Sequence, residues 1–118
     1  MSIKTYNKLV RDNIPGVIRG DGQIPHTRII TDFKEKDNAL RRKLLEEGQE
    51  VVDASSQRNL VTELADLFEV GYALIELHHF SPAAIERERL KRRRERGGFK
   101  DFVFLESIET PKSEDGQH

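Results

Sequence analysis

Leu44-Leu45-Glu46-Glu47-Gly48-Gln49-Glu50, followed after twelve residues by Glu63-Leu64-Ala65-Asp66, is the stretch whose reading decides this fold. Both segments lie in runs with helical periodicity, and a helix brings residues three or four apart onto one face. Glu47 and Glu50 are therefore neighbours, as are Glu63 and Asp66. If the two helices pack as an antiparallel hairpin, the four carboxylates converge. Without a cation they would repel one another. A hard divalent ion, Mg²⁺ or alternatively Mn²⁺, is the natural partner for such an all-oxygen set.

The second helix makes the stronger case. At about 100° per residue, Leu60, Leu64, Leu67, Phe68, Val70, Leu74, Ile75 and Leu77 sweep a wide apolar arc. Glu63 falls inside that arc and Asp66 at its edge, while Thr62, Glu69 and Glu76 mark the solvent face. A carboxylate on a buried face must be paired, metal-bound or protonated. On the first helix Leu40, Leu44, Leu45, Val51 and Val52 mark the apolar side, with Glu46, Glu47, Glu50 and Asp53 beside it. Taken alone these acids read as a solvated face with local ion pairs, Arg42 with Glu46 or Lys43 with Glu47. In both pairs the base precedes the acid, the weaker orientation. Together with Glu63 and Asp66, the metal reading prevails.

These residues carry a resemblance. Glu46-Glu47-x-x-Glu50 followed by Glu63-x-x-Asp66 resembles the motif of the all-α NTP pyrophosphatases, which include MazG-type enzymes, dimeric dUTPases and phosphoribosyl-ATP pyrophosphohydrolases. Tyr6-Asn7-Lys8-Leu9-Val10-Arg11-Asp12-x-Ile14-Pro15 and Arg96-Gly97-Gly98-Phe99 resemble a MazG-like, phosphoribosyl-ATP pyrophosphohydrolase-like branch. The resemblance spans about residues 5–107. It implies a mainly α, antiparallel helical bundle and a homodimer or higher homo-oligomer. It also implies metal-dependent cleavage of a nucleotide between its α- and β-phosphates.

Length and composition agree with one small domain, residues 1–108, and a polar tail, 109–118, expected to be disordered. Of 118 residues, 35% are charged and 36% hydrophobic, which suits helices with heavily solvated faces. The net charge of −1 gives no general attraction to nucleic acid, and the absence of cysteine excludes disulfides and thiolate metal sites. No apolar run approaches a membrane span, and the first residues lack the apolar core of a signal peptide. A cytoplasmic protein with no membrane or nucleic-acid partner is the expectation.

In chain order, Pro15 disfavours helix at Ile14, so a loop precedes a helical turn near Pro15–Arg19. Ile24 to Thr31 is rich in β-branched residues and reads as a short strand, with Phe102 to Leu105 its partner in a two-stranded ribbon over 26–31. His26 is expected at the surface or packed in that strand, not as a ligand. Asp32 with Glu35 forms a capping-box start for a helix from about Phe33 to Ala54. Gly48 interrupts it, open to close approach by a helix or a ligand. Asn59 or Ser56 caps the second long helix, which ends near His79, with His78 and His79 favouring its C-terminal dipole. Ser81-Pro82 starts a third, strongly basic helix closed by Gly97.

Several residues are candidates for the substrate. Lys8 and Arg11, three apart and near Asn7, suit phosphate binding, since arginine offers a forked set of donors. Lys91, Arg94 and Arg96 lie near a helix end and within reach of triphosphate oxygens, and Phe99 is placed to cover a base. The remaining basic residues of that helix read as a solvated face, with no interleaved aromatics for stacking on nucleic acid. Glu47, Glu50, Glu63 and Asp66 would hold the metal, and Glu46, ahead of Asp53, would activate water. Two other readings stand beside nucleotide-pool housecleaning: the phosphoribosyl-ATP step of histidine biosynthesis, and a non-enzymatic helical module with structural carboxylates.

Overall fold

The computed structural model describes residues 2–112. Its four helices are α1, Ile14–Gly20; α2, Phe33–Asp53; α3, Gln57–Leu77; and α4, Pro82–Arg96. Residue contacts divide the chain into two units, one through Ala84 and one from Ile85.

The first unit is built on the α2–α3 hairpin. Asp32 caps α2 as its sequence context demands, its carboxylate accepting from the Glu35 amide at 2.9 Å. Ala54, Ser55 and Ser56 make the turn, with Ala54 and Ser56 in extended backbone. Ser56, rather than Asn59, caps α3: its hydroxyl accepts from the Asn59 amide at 3.1 Å. So short a connection forces the helices antiparallel, and the two are in contact. At the far end His78 donates to Leu74, and His79, with φ of +56°, closes the helix.

The faces in contact are only partly those expected. On α3 the inward stripe holds Glu63, Asp66, Leu67, Val70 and Leu74, while Thr62, Glu69 and Glu76 face solvent as the periodicity predicts. On α2 the inward stripe is Asp37, Leu40, Lys43, Glu47 and Val51. Leu45 and Val52 belong to the expected apolar side but stay 77% and 75% exposed. Val52 sits one position past Val51, about 100° round the helix, and Leu45 sits two positions from both Lys43 and Glu47, about 160° from each. Among the described residues only Val70 and Glu47 are buried.

The β-ribbon expected from Ile24–Thr31 and Phe102–Leu105 is absent: no strand occurs among the described residues. Both segments are irregular, with Ile29 85% exposed and Phe102 in left-handed backbone at φ of +48°. Branched and aromatic side chains suit a half-buried pleat but do not create the neighbour that a pleat needs, and Pro25 lacks a ladder donor. The turn expected at Pro15–Arg19 is α1, which begins one residue earlier. Pro15 lies in the first helical turn, where a missing amide proton costs nothing.

In the second unit α4 continues from Ile85. Gly97, at φ of +82°, caps it as expected, donating to Arg93 at 2.8 Å. A turn follows in which Phe102 donates to Phe99, and residues 103–112 carry no regular structure. Of the tail expected to be disordered, residues 113–118 lie outside the described residues. No described helix is long and apolar enough to cross a membrane.

Candidate metal centre

The hairpin brings the four predicted ligands together. Glu47 and Glu50 project from α2, Glu63 and Asp66 from α3, and one carboxylate oxygen from each lies within 4.8 Å of the others. The packing follows from spacing: each pair is three residues apart, and the antiparallel register sets one pair opposite the other. The site grades from inside outwards, with Glu47 buried, Glu63 and Asp66 half-buried and Glu50 exposed.

Its electrostatics are unresolved within the protein. Glu47 Oε2 and Glu63 Oε2 are both buried with no hydrogen-bond partner. Burial pushes the Glu47 carboxyl up from its ordinary range, and the neighbouring charges of Glu50 and Asp66 push the same way, against Lys43. Two cations touch the cluster. Lys43 reaches Glu46 at 3.3 Å and Glu47 at 3.4 Å. Arg11 Nη2 donates to Asp66 Oδ1 at 2.8 Å. The Lys43–Glu47 pair that a solvated face would have is thus present, but inside a converging cluster. Buried, unpartnered carboxylate oxygens in an all-oxygen set fit a hard divalent cation, whose charge supplies what the protein leaves out.

The remaining candidates fall in different places. Glu46 lies next to Glu47, outside the set of four, and is half-buried. Asp53 Oδ1 accepts from Gln49 at 3.0 Å. Of the N-terminal trio, Arg11 reaches the cluster. Lys8 stands over the Tyr6 ring, 5.8 Å from its centre, and makes no ion pair among the described residues. Asn7, at φ of +47°, lines a shallow groove with Pro25, His26, Thr27 and Arg28. His26 is exposed there. Lys91, Arg94, Arg96 and Phe99 are exposed residues of the second unit.

A family model, phosphoribosyl-ATP pyrophosphohydrolase, matches residues 23–94, more than half of the chain. The chain belongs to this family. Phosphoribosyl-ATP pyrophosphohydrolases fall within the MazG-like all-α NTP pyrophosphatase superfamily, so the chain is a nucleotide pyrophosphohydrolase. No curated protein and no solved structure matches it. The family match takes in all four carboxylates and Lys43 but begins after Arg11.

Sequence reading missed a second cluster in this phosphoribosyl-ATP pyrophosphohydrolase relative. Near the open end of the hairpin, Asp37 Oδ1 and His78 Nε2 share a hydrogen bond of 2.6 Å, and Asp37 Oδ2 accepts from Arg41 at 2.8 Å. Phe33 meets the imidazole edge-on and Phe80 stacks on it, each with ring centres 5.3 Å away. The His78 hydrogen bond, followed by Arg41, holds the Asp37 carboxyl below its usual range against the opposing effect of burial. The antiparallel register that pairs Glu47 with the Glu63–Asp66 turn also sets Asp37 opposite His78. Applying that register along the whole hairpin would have found the pair.

Proposed function

We propose that the protein uses Mg²⁺, or Mn²⁺ in its place, to hydrolyse a nucleoside triphosphate between its α- and β-phosphates, releasing a monophosphate and pyrophosphate. The observation that carries this reading is the convergence of four carboxylates around two buried, unpartnered oxygens. Glu47, Glu50, Glu63 and Asp66 hold the ion. When bound, the ion neutralises phosphate charge and makes water a better nucleophile. Glu46, adjacent on α2 and tethered by Lys43, orients the attacking water and accepts its proton. Asp53 is the second choice, since Glu46 belongs to the Glu46-Glu47-x-x-Glu50 motif and Asp53 lies outside it. Within the first unit, Arg11, Lys8 and Asn7 supply the polar clamp on phosphates.

The family description favours a second substrate on the same machinery, phosphoribosyl-ATP. The Tyr6–Pro15 motif supports the first reading, a nucleotide-pool enzyme in the cytoplasm. In this reading residues 1–108 act as one domain. The working form is a homodimer or larger homo-oligomer, with no membrane or nucleic-acid partner. Support comes from α3, where Val61, Phe68 and Tyr72 share a side that is 58–69% exposed.

A pyrophosphate-release assay decides among these. A panel of triphosphates and phosphoribosyl-ATP is tested with and without Mg²⁺, and products are resolved by chromatography. Turnover is expected only with the ion, yielding monophosphate and pyrophosphate. Orthophosphate and diphosphate as products would refute the reaction, and turnover of phosphoribosyl-ATP alone would select the second substrate.

A further inference from the structure

Arg11 occupies a position that phosphate binding alone does not explain. It comes from an irregular segment 55 residues away in sequence, yet its guanidinium donates to Asp66, one of the four converging carboxylates. The other cation at the cluster is of a different kind. Lys43 shares α2 with Glu46 and Glu47, is only 17% exposed in its side chain, and is fixed there by the helix itself. The Arg11 side chain is 56% exposed, and among the described residues Asp66 is its one ion-pair partner.

We propose that Arg11 is an exchangeable counter-cation: it holds Asp66 while the cluster lacks a divalent ion, yields it when one enters, and then turns to substrate phosphate. This rests on the carboxylates being the metal site. Each step follows from charge. Four carboxylates within 4.8 Å need positive charge, and Arg11 supplies part of it. A divalent ion bound by Asp66 would stand within a few ångströms of that guanidinium, and like charges repel. An exposed ion pair is weak enough to give way, whereas Lys43 is less exposed and its backbone is held beside the cluster by α2. Once released, the guanidinium remains beside the ion, where the phosphates of a metal-bound nucleotide must lie, and its fork matches their oxygens. The same residue thus opposes metal binding before substrate arrives and favours substrate afterwards.

The opposite signs provide the test. Mn²⁺ is titrated into the full chain without nucleotide, and free ion is followed by electron paramagnetic resonance. Wild type, Arg11→Ala, Arg11→Lys and the site control Glu63→Gln are compared after circular dichroism confirms their folding. Arg11→Ala is expected to bind Mn²⁺ about two- to fivefold more tightly, the factor an exposed ion pair is worth. Arg11→Lys should stay near wild type. Inorganic pyrophosphate, added to the Mn²⁺-loaded proteins, should bind Arg11→Ala about tenfold more weakly, reflecting the loss of a charged hydrogen bond. Equal or weaker Mn²⁺ binding in Arg11→Ala would overturn the exchange and make Arg11 a positioning residue for Asp66. Unchanged pyrophosphate binding would overturn its second role. Mn²⁺ binding equal in wild type and Glu63→Gln would instead remove the metal site itself, a distinct failure.

Discussion

Glu47 and Glu63 each keep one carboxylate oxygen buried and without a partner, and that is where metal and stability meet. An ion that binds only the folded chain stabilises it by about 2.7 kcal/mol at a hundredfold excess over Kd. Millimolar Mg²⁺ or Mn²⁺ should therefore raise the melting temperature by several degrees. Glu63→Gln should abolish most of that rise, while raising the melting temperature of the metal-free protein by relieving repulsion. A scanning calorimeter run with and without Mg²⁺ checks both, and an equal rise in wild type and variant would count against Glu63 as a ligand. Gly48 offers a second measurement. Among the described residues a Cβ there would meet nothing within 4 Å, so no described helix explains the glycine. Gly48→Ala should stabilise by about 1 kcal/mol through helix propensity. If it also lowers turnover, the open space beside Glu47 belongs to the substrate.

Among elements, α2 shows why some of the site was legible and some was not. Its start at Asp32 and the approach of Glu47 and Glu50 to Glu63 and Asp66 follow from local capping and helical spacing. Its inward face was harder to read, because Asp37, Lys43 and Glu47 turn inwards while Leu45 and Val52 stay out. Periodicity assigns an inward face by hydrophobicity, and this helix contributes a polar one. The ribbon failed for the complementary reason, since composition favoured strands at Ile24–Thr31 and Phe102–Leu105 but no long-range partner was legible. Asp37 makes the inward polarity of α2 measurable. Its carboxyl titrates below the ordinary range in the folded protein, chiefly because of the His78 hydrogen bond. Between the folded and unfolded values the unfolded chain binds more protons, so stability rises with pH. The contribution is complete above the ordinary carboxylate range and is lost as pH falls through the lowered value. Denaturant midpoints followed from neutral pH into acid should show that loss in wild type. Asp37→Asn should be less stable at neutral pH and show a shallower fall, and parallel curves would refute the assignment.

At the scale of the molecule, a hairpin with one buried hydrophobic residue among those described is a poor core for a chain of 118 residues. Val61, Phe68 and Tyr72 on α3 need a cover, and a second copy of the chain is the proposed one. Light scattering at micromolar concentration should give at least twice the monomer mass. Phe68→Glu should shift it towards the monomer and lower the melting temperature, whereas a wild-type monomer would leave those side chains unexplained. The short Ala54–Ser56 connection has a further consequence, for the order in which the protein assembles. Contacts close in sequence form fast, on the microsecond scale for helices and short loops, and all four carboxylates lie within residues 47–66. Arg11 must close a far longer loop to reach them, at a larger entropic cost. A nascent hairpin therefore meets its own negative charge with only Lys43 and dissolved ions to offset it, so divalent cations should accelerate refolding as well as stabilise its end point.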